Sequence, residues 1–468
     1  MRACDPCRTS AHRHASHCST GLHTAPVPRR CCAARYHHVG RNVRRRVFTA
    51  PRIQFRCWRR QPLNVCVSIT GETSKPWKRR FRLTSPRRRA NDRPLLSTQV
   101  THVITGLTTG GAERVLLKLL EASDRSRYTP AVVSLMDEGA IGKRIRALDV
   151  PVHCLGMRRS VPSLAHFRRL RSMVADTGPD IVQGWMYHGN IAAQFTRPRN
   201  SRLIWGIHQS ITDLGNEKPL TRLLVRLGRW TQSGVDAIVF CSARSAQQHA
   251  ALGYSVARSR IIANGVDTLH YHPSCTSGSD LRRELGLEAG SLLVGHAARY
   301  HPMKNHRGLL EAFAMTESNA RLLLMGPEVD ESNRDLMQQI LRLGLNDRVL
   351  LLGERTDLWR LMPLFDLYVS ASSWGEAMPM VLLEAMSCGV PCVTTDVGDS
   401  AHLVGDTGRV VAPDAGDALA GALRELLGSD TGRRAELGQR ARQRVVEHFS
   451  LQQMTQRYCG LYDELHSI

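Results

Sequence analysis

The chain has 468 residues, 42% of them apolar and 22% charged, and Lys and Arg outnumber Asp and Glu by 64 to 41. That length exceeds what one ordinary domain uses and predicts two domains with sizeable cores plus an appendage. Residues 1–95 hold 23 of the Lys and Arg and 3 of the Asp and Glu, while the other 41 and 38 nearly balance; the formal charge of +23 therefore describes the appendage and excludes an argument from net charge that the body binds nucleic acid.

The basic segment also carries seven of the 13 cysteines, Cys4, Cys7, Cys18, Cys31, Cys32, Cys57 and Cys66. Cys4 and Cys7, followed by His12, His14, His17 and Cys18, invite a zinc reading, but the spacing fits no common finger and no second CxxC follows, so no metal is expected. The segment has no helical or strand period and no apolar core of the length a secretory signal needs. Its Arg-rich, acid-poor composition matches a transit peptide, a disordered basic arm or extra residues from a mis-called start, and low order is the expectation. The remaining cysteines stand singly, Cys154, Cys241, Cys388 and Cys392 among them in apolar contexts, as reduced thiols in a cytoplasmic protein would. No run of 18 apolar residues offers a membrane-spanning helix.

From residue 100 the pattern turns regular. "THVITGL" leads into "TTGGAERVLLKLLEA", with Val115, Leu116, Leu119 and Leu120 on one helical face; then "TPAVVSL", "VPVHCL", "DIVQGW", "RLIWGIHQS" and "VDAIVFCS" alternate with helix-period segments. After an Asn-Gly turn and the aperiodic "DTLHYHPSCTSGSD", a second alternating series runs from "LLVGHAARY" to "PCVTT". Alternation of this kind predicts parallel sheets covered by helices on both faces, hence an α/β fold of two Rossmann-like doubly wound domains facing across a cleft. The expected boundaries are 1–95 for the basic extension, 96–275 for the N-terminal domain, 276–445 for the C-terminal domain and 446–468 for a helix that packs back across both. Ligands of such sheets lie at the C-terminal ends of the strands, which places a site between the domains.

"SSWGEAMPMVLLEAMSCGVPCVTT" keeps Glu376 and Glu384 eight positions apart in an otherwise core-like segment. Pro379 suits the first turn of a helix, and Gly389 and Pro391 stop it, which puts Glu376 in the loop before the helix and Glu384 in its second turn, about 8 Å further along the axis. The free N–H groups between them favour an anion such as phosphate. Carboxylates would repel that phosphate, so they read as acceptors for hydroxyl groups on either side of it, the layout of ribose, diphosphate and hexose. A capping role is the alternative for the pair alone. Arg299 and Lys304, directly after a strand of the same domain in "ARYHPMKNH", supply two cations for a diphosphate and for charge on a departing nucleotide, or else belong to a solvated face.

"RYHPMKN", "LLGERTDL", "IIANGVD" and the stretch from "SSWGEAMPM" to "GDSAHLVGDTG" together resemble the retaining glycosyltransferases of family 4, the group 1 family with the GT-B fold, over about residues 100–468. The resemblance implies that Glu376 binds donor-sugar hydroxyls, Glu384 the ribose, and Arg299 and Lys304 the diphosphate. It places Gly110 and Gly111 in a glycine-rich loop near the phosphates and acceptor, where the missing side chain permits close approach, and His208 of "LIWGIHQS" near the anomeric centre, although a lone histidine there also fits a structural role. His188 of "WMYHGN" is a second candidate for the cleft, and Arg355 and Asp357 fall where the family meets the nucleotide base. The chain departs from the family's Glu-Gly-Phe-Pro-Asn by having Glu376-Ala377-Met378-Pro379-Met380, which keeps the phosphate-binding backbone but puts Met378 and Met380 against the sugar.

No Asp-x-Asp occurs, so a metal-bridged diphosphate is not expected and the cations and helix terminus take its place. The implied activity is transfer of a hexose-type sugar from a UDP- or GDP-sugar, with no cofactor, to a lipid-linked or polysaccharide acceptor in cell-surface glycan biosynthesis. Arg144, Arg146, Arg158, Arg159, Arg168, Arg169 and Arg171 suit peripheral contact with the inner face of the cell membrane, or a solvated face. A nucleotide-sugar epimerase of the same fold is the competing enzyme; a non-catalytic nucleic-acid binder using the basic arm is the competing class, disfavoured because aromatics are not interleaved along the arm.

Overall fold

The structure, a computed structural model, describes residues 97–467 except 109, 158–162, 274–277, 289 and 317. The basic extension with its cysteine and histidine cluster, and Arg158 and Arg159, lie outside the described residues.

Seven parallel strands form the first sheet: β1 Thr98–Ile104, β2 Tyr128–Ser134, β3 Val152–Cys154, β4 Ile181–Trp185, β5 Arg202–Ile207, β6 Ala237–Phe240 and β7 Ser259–Ile261, in the order β3-β2-β1-β4-β5-β6-β7. The second has six: β8 Leu293–Ala297, β9 Arg321–Met325, β10 Val349–Leu351, β11 Leu367–Ser370, β12 Cys392–Thr395 and β13 Arg409–Val411, ordered β10-β9-β8-β11-β12-β13. Both orders turn back at the first strand of their half, so each is doubly wound and each has its switch point beside that strand. The central strands are apolar on both faces because helices cover both: Val103 and Ile104 of β1 and Leu322, Leu323 and Leu324 of β9 are no more than 1% exposed.

The chain passes between the halves twice, and the crossings are joined. Val266 N–H donates to the Phe449 carbonyl at 3.0 Å and Leu451 N–H donates to the Val266 carbonyl at 2.8 Å. The expected closing helix of the tail is Leu451–His466, capped by Ser450, which lies against the helix Gly111–Ala122 and β4 of the first half, while the helix before it, Thr431–His448, packs on the helix Met380–Ser387 of the second. Met454, Tyr458, Leu461, Tyr462 and Leu465 thereby enter the first half's core. Cys154, Cys241, Cys388, Cys392 and Cys459 are free thiols.

Candidate functional site

The loops at the C-terminal strand ends carry most of the residues singled out above. After β8, Arg299 projects exposed, and the backbone continues through a turn at Pro302–Lys304 to Asn305, whose left-handed conformation (φ +53) and side chain cap the helix His306–Ala314. Gly326, at the end of β9, approaches this strand end so closely that a Cβ would stand 2.2 Å from the Ala298 carbonyl oxygen. After β11, the loop Ala371–Pro379 carries Glu376. Lys304 Nζ donates to Glu376 Oε1, as does the Ser372 hydroxyl at 3.0 Å, and both charged side chains are more than four-fifths buried. Gly375 (φ +79) lies under the Met303 thioether, and Ser373 N–H donates to the Met303 carbonyl at 2.9 Å, which ties the two loops at backbone level.

The helix Met380–Ser387 begins one residue later than expected. Pro379 is its N-cap, with extended ψ (+113), and not part of the first turn; a proline ring has no helical N–H to lose at either position. Glu384 lies in the second turn as expected. Burial pushes its carboxyl up to about 7, against the opposing pull of Arg114, the Tyr271 hydroxyl and Lys118. Arg114 and Lys118 belong to the helix Gly111–Ala122 of the first half, so Glu384 senses charge from across the cleft.

His208 follows β5 and stacks on Trp185, ring centroids 5.1 Å apart. Its Nδ1 lies 3.2 Å from Asn264 Oδ1, and its Nε2 is buried without a hydrogen-bond partner among the described residues. Burial lowers its pKa to about 4, so the ring is neutral at physiological pH; a proton on Nδ1, donated to Asn264, leaves the Nε2 lone pair free to accept. Asn264 in turn donates its backbone N–H to the Met378 sulfur at 3.1 Å, which joins His208 of the first half to Met378 of the second.

Gly110 is the N-cap of the helix Gly111–Ala122, overlain by the Glu113 carboxylate, whose flexible end could withdraw; Gly111 is exposed with open space beside it. His188 is half-buried on the helix Met186–Thr196, its pKa lowered by burial. Met380 is half-buried at the start of its helix. Arg355 donates through one edge of its guanidinium, Nε and Nη2, to the two Asp357 carboxylate oxygens at 2.8 Å each, so the two residues expected near the base form a bidentate pair with each other. Sequence reasoning missed Asn264, Tyr271, Arg114 and Asp399; "IIANGVD" and "DVGDSAH" were legible as motifs, but the side chains that matter in them meet partners more than 50 positions away.

Two family models match the chain: "Glycosyltransferase Family 4" over residues 109–269 and "Glycosyl transferases group 1" over 279–444. Among curated proteins, N-acetyl-alpha-D-glucosaminyl L-malate synthase of Bacillus anthracis is 31% identical over 39% of this chain and 48% of its own length. The lipopolysaccharide core biosynthesis mannosyltransferase LpsB of Rhizobium meliloti is 26% identical over 49% of this chain and 66% of its own. The match therefore spans about half to two thirds of each relative. Among solved structures, Anabaena Alr3699/HepE in complex with UDP and glucose superposes with a TM-score of 0.69 at 25% identity, covering 78% of this chain and all of that one.

Proposed function

The chain belongs to the family 4, group 1 glycosyltransferases of GT-B fold, and from that premise we propose that it transfers a hexose-type sugar, with retention, from a UDP- or GDP-sugar to a hydroxyl of a lipid-linked or polysaccharide acceptor in cell-surface glycan biosynthesis. The observation that carries this reading is the buried Lys304–Glu376 pair at the strand ends, on the loop that precedes the Met380 helix. An ion pair held there by two loops is a preformed cation and a preformed acceptor that a donor can separate, the ammonium to its diphosphate and the carboxylate to a sugar hydroxyl.

Arg299, beside Lys304, adds a second cation on the diphosphate, and no metal is required. Glu384 accepts from the ribose. The C1–O bond of the donor breaks, its electron pair passing to the β-phosphate oxygen that the cations stabilise. The acceptor hydroxyl bonds to C1 on the same face and gives its proton to that phosphate oxygen. His208, neutral, accepts a hydrogen bond from a sugar hydroxyl through Nε2. The name LpsB and its role in lipopolysaccharide core synthesis support the class of acceptor, and UDP with glucose in the structural neighbour supports the class of donor.

We further place the protein peripherally on the inner face of the membrane. No helix among the described residues is long and apolar enough to cross one. The helix Pro219–Thr231 leaves Leu220, Leu223 and Trp230 56%, 60% and 77% exposed beside Arg226 and Arg229, a surface suited to an anionic lipid interface.

The test is turnover by the full chain of a panel of UDP-, GDP- and ADP-sugars with EDTA present, with Glu376→Ala as control and the anomeric configuration of the product read by NMR. One donor consumed with retention, and no consumption by the variant, supports the proposal. An inverted product refutes the mechanism, and no turnover by the folded chain with any donor refutes the activity.

A further inference from the structure

Asp399 stands in the loop after β12 and is 8% exposed, although no chemistry proposed above uses it. Its carboxylate oxygens accept the backbone N–H groups of Ala243 at 2.8 Å and Arg244 at 3.0 Å, the first two residues of the helix Ala243–Ala251 in the first half. The third N–H of that helix goes to its own cap, Ser242 Oγ, at 2.9 Å. A carboxylate on two helix-terminal donors is a charge-assisted contact favoured by the dipole. Arg244 closes the same junction from the other direction, its guanidinium donating to the Asp396 carbonyl at 3.2 Å and carboxylate at 3.3 Å.

The other side of Asp399 grips the donor loop. Its N–H donates to the Ala377 carbonyl at 2.9 Å. Gly398 before it has φ +59 and packs so tightly that a Cβ would lie 2.2 Å from the Glu376 carbonyl oxygen and 2.6 Å from that of Ala377. A single residue therefore binds the first half through its side chain and the Glu376 segment through its backbone.

We infer that Asp399 is a positioning residue that fixes Glu376, and with it the donor sugar, relative to the half that carries His208 and the acceptor. The inference rests on the transferase reading for its catalytic consequence but not for the contact itself. Reaction between groups held on two bodies depends steeply on their separation, and a displacement near 1 Å can cost about 100-fold in rate. Asp399 removes that freedom without touching the reacting atoms.

Asp399→Ala tests the contact from the second half and Ala243→Pro from the first; proline removes the donated N–H at the first helical position, where the helix tolerates it. In both, kcat for transfer is expected to fall by about 10- to 100-fold, with donor KM and calorimetric UDP affinity within about threefold of the parent, because Lys304, Arg299 and Glu384 all lie in the second half. Hydrolysis of the donor is expected to rise relative to transfer. Arg244→Ala, which keeps both backbone bonds, is expected to show a smaller loss. Amide hydrogen exchange gives a readout independent of turnover: protection at residues 243–244 and 372–379 is expected to fall together in Asp399→Ala. Loss of UDP affinity in parallel with kcat, kcat unchanged in both variants, or exchange that rises at only one of the two segments would overturn the inference. Coupled exchange in a chain that turns over no donor would leave the contact standing and refute the transferase reading alone. Should Asp399→Ala fail to fold, Ala243→Pro carries the test.

Discussion

Glu384 is the residue whose ionisation the fold sets most directly for function. Its carboxyl titrates near 7, raised by burial, and in the free protein it is increasingly protonated as pH falls below that value. On the proposed role as acceptor for the ribose, the ionised form is the stronger acceptor, so kcat/KM for the donor is expected to fall with a limiting slope of one per pH unit below pH ~7. Glu384→Gln is expected to be slower at pH 8 and flat across the same range. A parent profile with no break between pH 6 and 8 refutes the assignment. The pair Lys304–Glu376 makes a second prediction. Lys304→Ala leaves a largely buried carboxylate without its cation and is expected to cost about 1–3 kcal/mol in urea unfolding. Adding Glu376→Ala is expected to return part of that loss, and strict additivity of the two would refute a coupled pair. Both glutamates were legible in the sequence because the helix that spaces them is local. Arg114 and Tyr271, which oppose the shift of Glu384, were not, since nothing in a 3.6-residue period says which distant side chain faces a carboxylate across a cleft.

At the scale of an element, the helix Met380–Ser387 shows what punctuation alone can predict. It stops where Gly389 adopts φ +75, and its end closes as a Schellman motif, with Val390 N–H donating to the Ala385 carbonyl at 3.1 Å and Gly389 N–H to that of Met386 at 3.0 Å. Gly389→Ala must place a Cβ in a left-handed backbone and is expected to lower stability by about 1 kcal/mol, seen as a lower urea midpoint with an unchanged slope. The start was read one residue early because proline fits both the N-cap and the first turn. The helix Pro219–Thr231 has the opposite character: Val225 and Gly228 face the core, and a large apolar surface faces outward. Replacing Leu223 and Trp230 by glutamate is expected to abolish flotation with vesicles rich in phosphatidylglycerol while leaving the thermal midpoint within about 2 °C, since neither side chain is buried. Flotation that survives the double change would remove this helix from the membrane contact.

Over the whole molecule, alternation of strand and helix disclosed the two parallel sheets. What alternation could not disclose is the polar content of the interior. His102, His208, His249, His296 and His306 lie in strands, strand ends or helices of both halves, and burial is the main cause of the depression of all five, to about 3 for His102 and His306 and about 4 for the others. In the unfolded chain each titrates near 6.5, so between pH 6.5 and 4 the unfolded state binds more protons and stability must fall as pH falls, by up to about 1.4 kcal/mol per pH unit for each histidine. Glu384 and Glu113, whose carboxyls are raised, act in the opposite sense over the acidic range and offset part of the loss. With His188, whose pKa burial also lowers, six histidines against two carboxyls leave a net uptake of protons on unfolding, and the thermal midpoint is expected to drop steeply from pH 6.5 to 4.5 while staying level between pH 7 and 8. His306→Leu removes one of these histidines from beside the His296 and Tyr300 rings; the gap between midpoints measured at pH 7.5 and pH 5.5 is then expected to narrow. A gap that stays the same would mean that His306 is already protonated in the folded protein, against the burial and the Lys304 charge that hold its pKa down.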